Sequence, residues 1–391
     1  MSVPSGSEEN EVLYYLREHR GPMTDFLRHL ALAESPSTSP ESQRQVLDII
    51  AGALTDLGFL TRRIPGRASG GHLYARPTGS GGPAQLLLGH CDTVWPLGTV
   101  REMPVEIEGG MVRGPGVYDM KGGLAQMVFA LRALRDLGLT PAVAPVVFVN
   151  SDEEVGSRES TRYIRRLSRI VQRAFIMEPS LGPSGKLKTA RKGLGRFSLV
   201  VEGRSAHAGL DPDRGASAIL ELSYQIQALF ALNDPARGIT VNVGTVDGGL
   251  GPNIIAPESR AVVEVRVPTV EEARRVQESI VGLKPATPGV KLRIDGSMGR
   301  PPMERTHRNR KLWEAARRLG SNLGLDLGEG TAGGGSDGNT TSLYTATLDG
   351  LGAVGDGAHA RHEFVYVGRM VERSALLALL LMEPACGRSD T

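Results

Sequence analysis

Imidazoles and carboxylates recur along this sequence where apolar runs give way to loops. His90 and Asp92 stand in Gly89-His90-Cys91-Asp92-Thr93, directly after the apolar residues 86–88. Asp119 sits in a loop rich in Gly and Pro, Glu153 and Glu154 follow the apolar residues 146–149, Glu178 follows residues 174–177, and His359 ends Gly355-Asp-Gly-Ala-His359. Zinc takes nitrogen from His and oxygen from carboxylates, and two-metal hydrolases hold their ions roughly 3.5 to 4 Å apart on a shared ligand. His90, Asp119, Glu154, Glu178 and His359 are the inventory for two zinc ions bridged by one carboxylate and a water. Metals so placed lower the pKa of water to around 7 and polarise a scissile carbonyl. The adjacent acids Glu153 and Glu154 permit a division of labour: one binds metal while the other, left free, moves a proton from water to the leaving amine. Asp92 is placed to take the second ring N–H of His90 and fix its tautomer.

Such groups need a scaffold that gathers loop after loop on one edge. After Ser39-Pro40, a cap and first helical residue, the apolar positions Val46, Ile49, Ile50, Ala53, Leu54 and Leu57 predict a helix stopped at Gly58. A second amphipathic helix carries Leu124, Met127, Val128, Leu131, Leu134 and Leu137, and another covers 160–169. Residues 86–88, 146–149 and 174–177 read as buried strands, so strands alternate with helices in an α/β sheet, whose ligands bind beyond strand C-termini. From about Thr189 the rhythm changes to strand 197–202, helix 215–230, strands 239–246 and 261–267, helix 270–281 and strand 290–294. That β-α-β-β-α-β order is the ferredoxin-like split unit. The expected organisation is therefore a catalytic domain of residues 1–188 and 301–391 with an inserted α+β domain of residues 189–300.

The chain has 391 residues, long enough for two cores, and its 45 basic against 43 acidic residues leave a formal charge of +2. That balance announces neither nucleic acid nor a membrane surface as a partner. The N-terminal MSVPSGSEENEVLYY lacks the basic and apolar regions of a secretory signal, and the late apolar run 375–382 is too short to span a bilayer. A soluble cytoplasmic protein with reduced Cys91 and Cys386 is the expectation.

The ordered motifs identify a resemblance. Gly89-His90-Cys91-Asp92-Thr93-Val94, Gly114-Pro115-Gly116 through Asp119-Met120-Lys121-Gly122-Gly123, Ser151-Asp152-Glu153-Glu154, Met177-Glu178-Pro179, Gly203 to His207-Ala208-Gly209, and Ala358-His359 with Glu363 span most of the chain. Together they resemble the dizinc amidohydrolases and exopeptidases that include acetylornithine deacetylase, succinyl-diaminopimelate desuccinylase, aminoacylase and glutamate carboxypeptidase. Asp152-Glu153-Glu154, Glu178-Pro179 and Gly299-Arg300-Pro301 bring the glutamate carboxypeptidases nearest. The resemblance implies a zinc-exopeptidase-like α/β catalytic domain, a mixed sheet flanked by helices, with the insertion as lid and dimerisation domain. It further implies two Zn2+ per subunit, with Co2+ or Mn2+ as substitutes, bridged by Asp119. His90 and Glu178 would hold one ion, and Glu154 and His359 the other. Glu153 would be the general base and acid, Asp92 the partner of His90, and the peptide after Asp119 cis. His207 would stabilise the oxyanion, from its own or a partner subunit, while Arg300 and Asn253 grip the substrate carboxylate and Gly334 and Ser336 line the substrate site. Arg266 is an alternative guanidinium for that grip. The implied substrate is a small molecule or short peptide with a free carboxylate, the implied assembly a homodimer through the lid. A carboxypeptidase that prefers acidic C-terminal residues is the leading reading, an N-acyl amino acid amidohydrolase the alternative.

Two rivals have sequence support of their own. Gly334-Gly335-Ser336-Asp337-Gly338 matches the G-x-S-x-G elbow of serine hydrolases, which needs a preceding strand and a following helix. Residues 325–331 read as poor strand and 339–347 as poor helix. A non-enzymatic binding module would be marked by loss of a ligand or the base, yet all five ligands and Glu153 are present. His362 makes an H-x-x-H with His359 but falls outside the family pattern, and Cys91 is expected to be a buried neutral thiol turned away from the metals.

Overall fold

The computed structural model describes residues 6–79 and 81–384 and divides into two compact units. One comprises Met1–Thr189, Arg305–Thr331 and Ser336–Thr391; the other comprises Ala190–Glu304 and Ala332–Gly335. Cys386 lies outside the described residues.

The first unit is built on a six-stranded mixed sheet, in the spatial order Phe59–Ile64, His72–Pro77, Ala144–Asn150, Ala84–His90, Arg173–Ile176, Ala346–Leu348. Ala84–His90 is parallel to both neighbours, with His90 opposite Asn150 and Leu88 opposite Ile176, so three strands end at one edge. These strands are buried on both faces, which is why they read as continuous apolar runs without alternation. Helix Gly122–Asp136 packs beneath that edge and is almost wholly buried. Its opening glycines permit the approach: a methyl group at Gly123 would stand 1.9 Å from the carbonyl oxygen of Met177, the residue before Glu178. A small sheet, ordered Gly355–Asp356, Phe364–Tyr366, Met111–Arg113, Glu106–Glu108, joins the loop bearing His359 to the segment leading into Asp119. Two helices that the periodicity reading passed over, Gly6–Glu18 and Arg20–Leu32, bury Val12, Leu16, Met23, Leu27 and Leu30 in the same core.

The second unit is a four-stranded antiparallel sheet, ordered Thr240–Gly248, Glu258–Val267, Gly193–Glu202, Lys291–Arg300. With helix Ala218–Phe230 after strand Gly193–Glu202 and helix Val270–Val281 after strand Glu258–Val267, this is the ferredoxin-like connection. Gly193–Glu202 alternates between buried and more accessible positions, so one face of the sheet packs on the helices through Phe197, Leu199 and Val201. The Gly-rich strap 332–335 belongs to this unit: Arg191 donates to Gly334 O and Gly335 O at 3.1 and 3.3 Å, and Arg266 donates to Gly333 O at 2.9 Å. Among the described residues no helix is long and apolar enough to cross a membrane.

Candidate active site

The strand edge of the first unit gathers His90, Asp119, Glu153, Glu154, Glu178 and His359. His90 Nε2 lies 3.4 Å from both Asp119 Oδ1 and Glu178 Oε1. His359 Nε2 lies 3.4 Å from Asp119 Oδ2 and 3.2 Å from Glu154 Oε2. Asp119 thus offers one oxygen to each imidazole, and each imidazole has its own glutamate on the outer side. Donor atoms of His90, Asp119 and Glu154, and of His90, Glu153 and Glu178, lie within 4.8 Å of one another. Asp119 Oδ1 and Glu154 Oε1 are buried without a hydrogen bond. Four acids around two imidazoles, with carboxylate oxygens left unbonded, form a donor set that fits divalent cations.

Electrostatics follow from that crowding. Burial disfavours the charged form of Asp119, but the facing His359 and His90 hold its carboxyl well below the usual range. Burial, reinforced by the charge of Asp119, raises Glu154. The carboxylates of Asp119 and Glu154 push His359 up to about 10, whereas His90 is driven down by burial and more than restored by Asp119, Asp92 and Glu178. Protons on these rings occupy the place that cations would take, and a bound metal competes with them.

Surrounding contacts fix the ligands. The Nδ1 of His90 is 3.0 Å from the backbone oxygen of Asp92 and 3.5 Å from its carboxylate, so the main chain is the nearer partner, not the side chain the sequence suggested. The Asp92 carboxylate instead accepts the amides of Glu153 and Glu154 at 3.2 and 3.1 Å and the Ser37 hydroxyl at 2.8 Å. One buried acid thereby sets the backbone of both catalytic-type glutamates. The Asp119–Met120 peptide is cis. His359 has φ 61°, a left-handed conformation costing a non-glycine residue about 1–3 kcal/mol unless its surroundings impose it. Glu363, quoted in the motif but given no role, is wholly buried and accepts the amides of Gly116, Tyr118 and Asp119 at 2.8, 2.9 and 3.0 Å and the Trp95 indole at 2.8 Å. Burial nonetheless raises its carboxyl to about 7. The signal for it was an acid four residues after His359, immediately before a short strand.

Other candidates sort themselves. Cys91 is fully buried among apolar residues and its thiol is pushed far above its ordinary pKa by burial and by Asp92. His362 is exposed and joins neither donor group. Ser336 corrects two expectations. A strand, Glu329–Ala332, does precede it and a helix, Asp337–Thr341, does follow, contrary to the propensity reading. Its hydroxyl is nevertheless completely buried, donates to Asp349 and accepts from the Gly338 amide, so it caps that helix and is bonded to no imidazole base. Arg266 is engaged with Glu264 and Gly333 O, whereas Gly334 is exposed on the strap.

In the second unit the structure brings His207 and Asn253 together. Ala208 N donates to Asn253 O, Ile255 N to Ala206 O, and His207 bridges Ile254. The amides of Gly209 and Leu210 point at His207 Nδ1 from 3.2 and 3.1 Å. An accepting Nδ1 leaves the neutral ring's proton on Nε2, where it is a donor. Arg300 is elsewhere: it pairs with Leu194 at the start of strand Gly193–Glu202, whereas the His207 loop continues beyond Glu202. Eight strand steps at ~3.3 Å, about 25 Å, separate Leu194 from Glu202, where the segment leading to His207 begins.

Residues 86–383 match the profile of peptidase family M20/M25/M40. Carboxypeptidase G2 of Pseudomonas sp. (strain RS-16) is 26% identical over 369 residues, covering 93% of this chain and 89% of that protein. Succinyl-diaminopimelate desuccinylase of Bradyrhizobium sp. (strain ORS 278) is 31% identical over 268 residues, 62% of this chain and 68% of the relative. Among solved structures, aminopeptidase PepT from Bacillus cereus superposes with a TM-score of 0.75 at 19% identity, covering 92% of this chain and 96% of that one, a likeness of fold.

Proposed function

This chain belongs to peptidase family M20/M25/M40 and is a metallo-hydrolase of amide bonds, and we propose that it acts as a carboxypeptidase releasing a C-terminal amino acid, acidic residues preferred. The observation that carries the reading is the Asp119 carboxylate, one oxygen toward His90 and the other toward His359, with Glu178 and Glu154 outside them. In this reading His90, Asp119 and Glu178 hold one zinc, and Asp119, Glu154 and His359 the other. Two such cations, when bound, supply an acidified water and an electrophile for the scissile carbonyl. Glu153, near His90 and Glu178 and with its backbone held by Asp92, takes the proton of the attacking water and delivers it to the leaving nitrogen. His207 donates through Nε2 to the oxygen that gains charge, Asn253 beside it contacts the substrate, and Arg300 grips the free carboxylate.

Arg300 pairs at the Leu194 end of strand Gly193–Glu202, whereas the loops bearing His207 and Asn253 leave the sheet beyond its Glu202 end; in this reading they serve different copies of the chain. The assembly is then a homodimer in which one copy lends His207 and Asn253 to the other. The helix Ala218–Phe230 supports it by exposing Ile219, Leu220, Tyr224 and Phe230, and strand Thr240–Gly248 by lying at a sheet edge.

A second reading, hydrolysis of an N-acyl amino acid, has the support of the desuccinylase similarity. Both readings face one experiment: release of free amino acid from a panel of peptidyl and N-acyl amino acids by zinc-loaded protein, beside a chelated aliquot. Chelator-sensitive release of C-terminal glutamate is the expected result. Release confined to N-acyl amino acids selects the second reading, and release that survives chelation contradicts both.

A further inference from the structure

Metal ligands must be delivered by backbone, and His90 and His359 are delivered differently. His90 ends a strand paired on both sides and is itself buried. Asp119 and His359 sit in irregular segments, and the His359 side chain keeps 51% of its exposure. Glu363 connects those two segments. Its Oε1 accepts Tyr118 N and Asp119 N, and its Oε2 accepts Gly116 N and Trp95 Nε1. Its own amide donates to Ala360 O, closing the turn of residues 360–363 that directly follows His359, and its carbonyl accepts Gly114 N. Both carboxylate oxygens are committed to N–H donors, so Glu363 is no ligand itself.

We propose that Glu363 is the positioning residue for the second metal position, locking the Asp119 turn to the His359 loop so that both present their donors to one cation. This rests on Asp119, Glu154 and His359 being ligands, as argued above. It also explains why the residue must be a carboxylate. Each oxygen faces two donors, so an amide in either orientation turns its NH2 against two N–H groups. The position His90–Glu178 shares Asp119 but not the His359 loop, and is the less sensitive of the two.

Zinc stoichiometry and affinity test this directly, by metal analysis after dialysis and by competition with a chromophoric chelator. Wild type should hold two zincs. Glu363→Gln, nearly the same size, should retain one and bind the second 10- to 100-fold more weakly, the usual effect of removing a group that orients a ligand. Its kcat should fall while KM for the substrate stays within about twofold, because Glu363 acts through ligands and not through substrate. Two zincs at wild-type affinity in Glu363→Gln would overturn the proposal, including where only thermal stability falls, which would make the residue a structural tie. Trp95→Phe removes one of four donors and gives the test in milder form if the first variant does not fold. A second zinc weakened about twofold to fivefold supports the proposal, and unchanged affinity overturns it. Wild type that binds no zinc would instead sink the dimetal reading on which this inference stands.

Discussion

The two units carry their polar residues in opposite ways. In the first, His90 and Glu178 are buried at the ends of parallel strands, and a buried Asp92 and Glu363 hold the neighbouring backbone. In the second, His207 and Asn253 are exposed on loops that hold each other through a few main-chain bonds. The first arrangement fixes charges that would repel one another without a cation. In the proposed reading the second presents donors to a substrate. On that reading, chemistry that tolerates no displacement is built into the sheet, whereas recognition is left on loops where substitution is cheap.

Breaking the first unit should have the larger effect. Glu154→Ala should lose zinc at the His359 position and with it all measurable turnover, checked by metal analysis beside the rate. Glu153→Gln sharpens the contrast, since it should keep both zincs and lose on the order of 10² to 10⁴ in kcat, the worth of a positioned acid and base. Full turnover by a dizinc Glu153→Gln protein would remove Glu153 from the mechanism.

In the second unit, His207→Ala should lower kcat by roughly 10² to 10³, as loss of one oxyanion donor does, without changing metal content. Mixing His207→Ala with Glu153→Gln tests where the imidazole acts. If it serves the partner, random reassortment makes half of the dimers mixed, each with one working site in two, so about a quarter of wild-type activity returns. No recovery after verified exchange of subunits would place His207 in its own chain's site. The smallest effect is expected at Ser336. Ser336→Ala should destabilise the fold by about 0.5–2 kcal/mol as a lost helix cap, read by denaturant melts, with kcat within twofold. A large fall in kcat at unchanged stability would restore a direct role.

What was legible in the sequence follows the same division. Candidate ligands at strand ends announced themselves because a doubly buried strand is a continuous apolar run, and an acid or imidazole straight after it stands out. The order of elements in the second unit was legible, but its last strand, read as 290–294, runs over Lys291–Arg300, and the strap 332–335, expected with the first domain, clusters with the second unit. Helix Arg20–Leu32, which the periodicity reading passed over, carries Pro22 in its first turn, where the missing N–H costs little. Helix Asp337–Thr341 has the composition of a loop and is held by tertiary bonds, Asp337 accepting from Asn150 and Ser157. Glu363 was visible as a letter in a motif, but its partners are main-chain amides about 245 residues away, which no spacing rule connects. That Arg300 pairs at the Leu194 end of strand Gly193–Glu202 likewise emerges only from strand register.

The cluster around Asp119 carries the rest of the account, and an anomalous difference map of crystals of the zinc-loaded protein tests it most directly. Two zinc peaks roughly 3.5 to 4 Å apart, one beside His90 and Glu178 and one beside Glu154 and His359 with Asp119 between, are the expected result. A single peak, or two peaks that do not share Asp119, would contradict it.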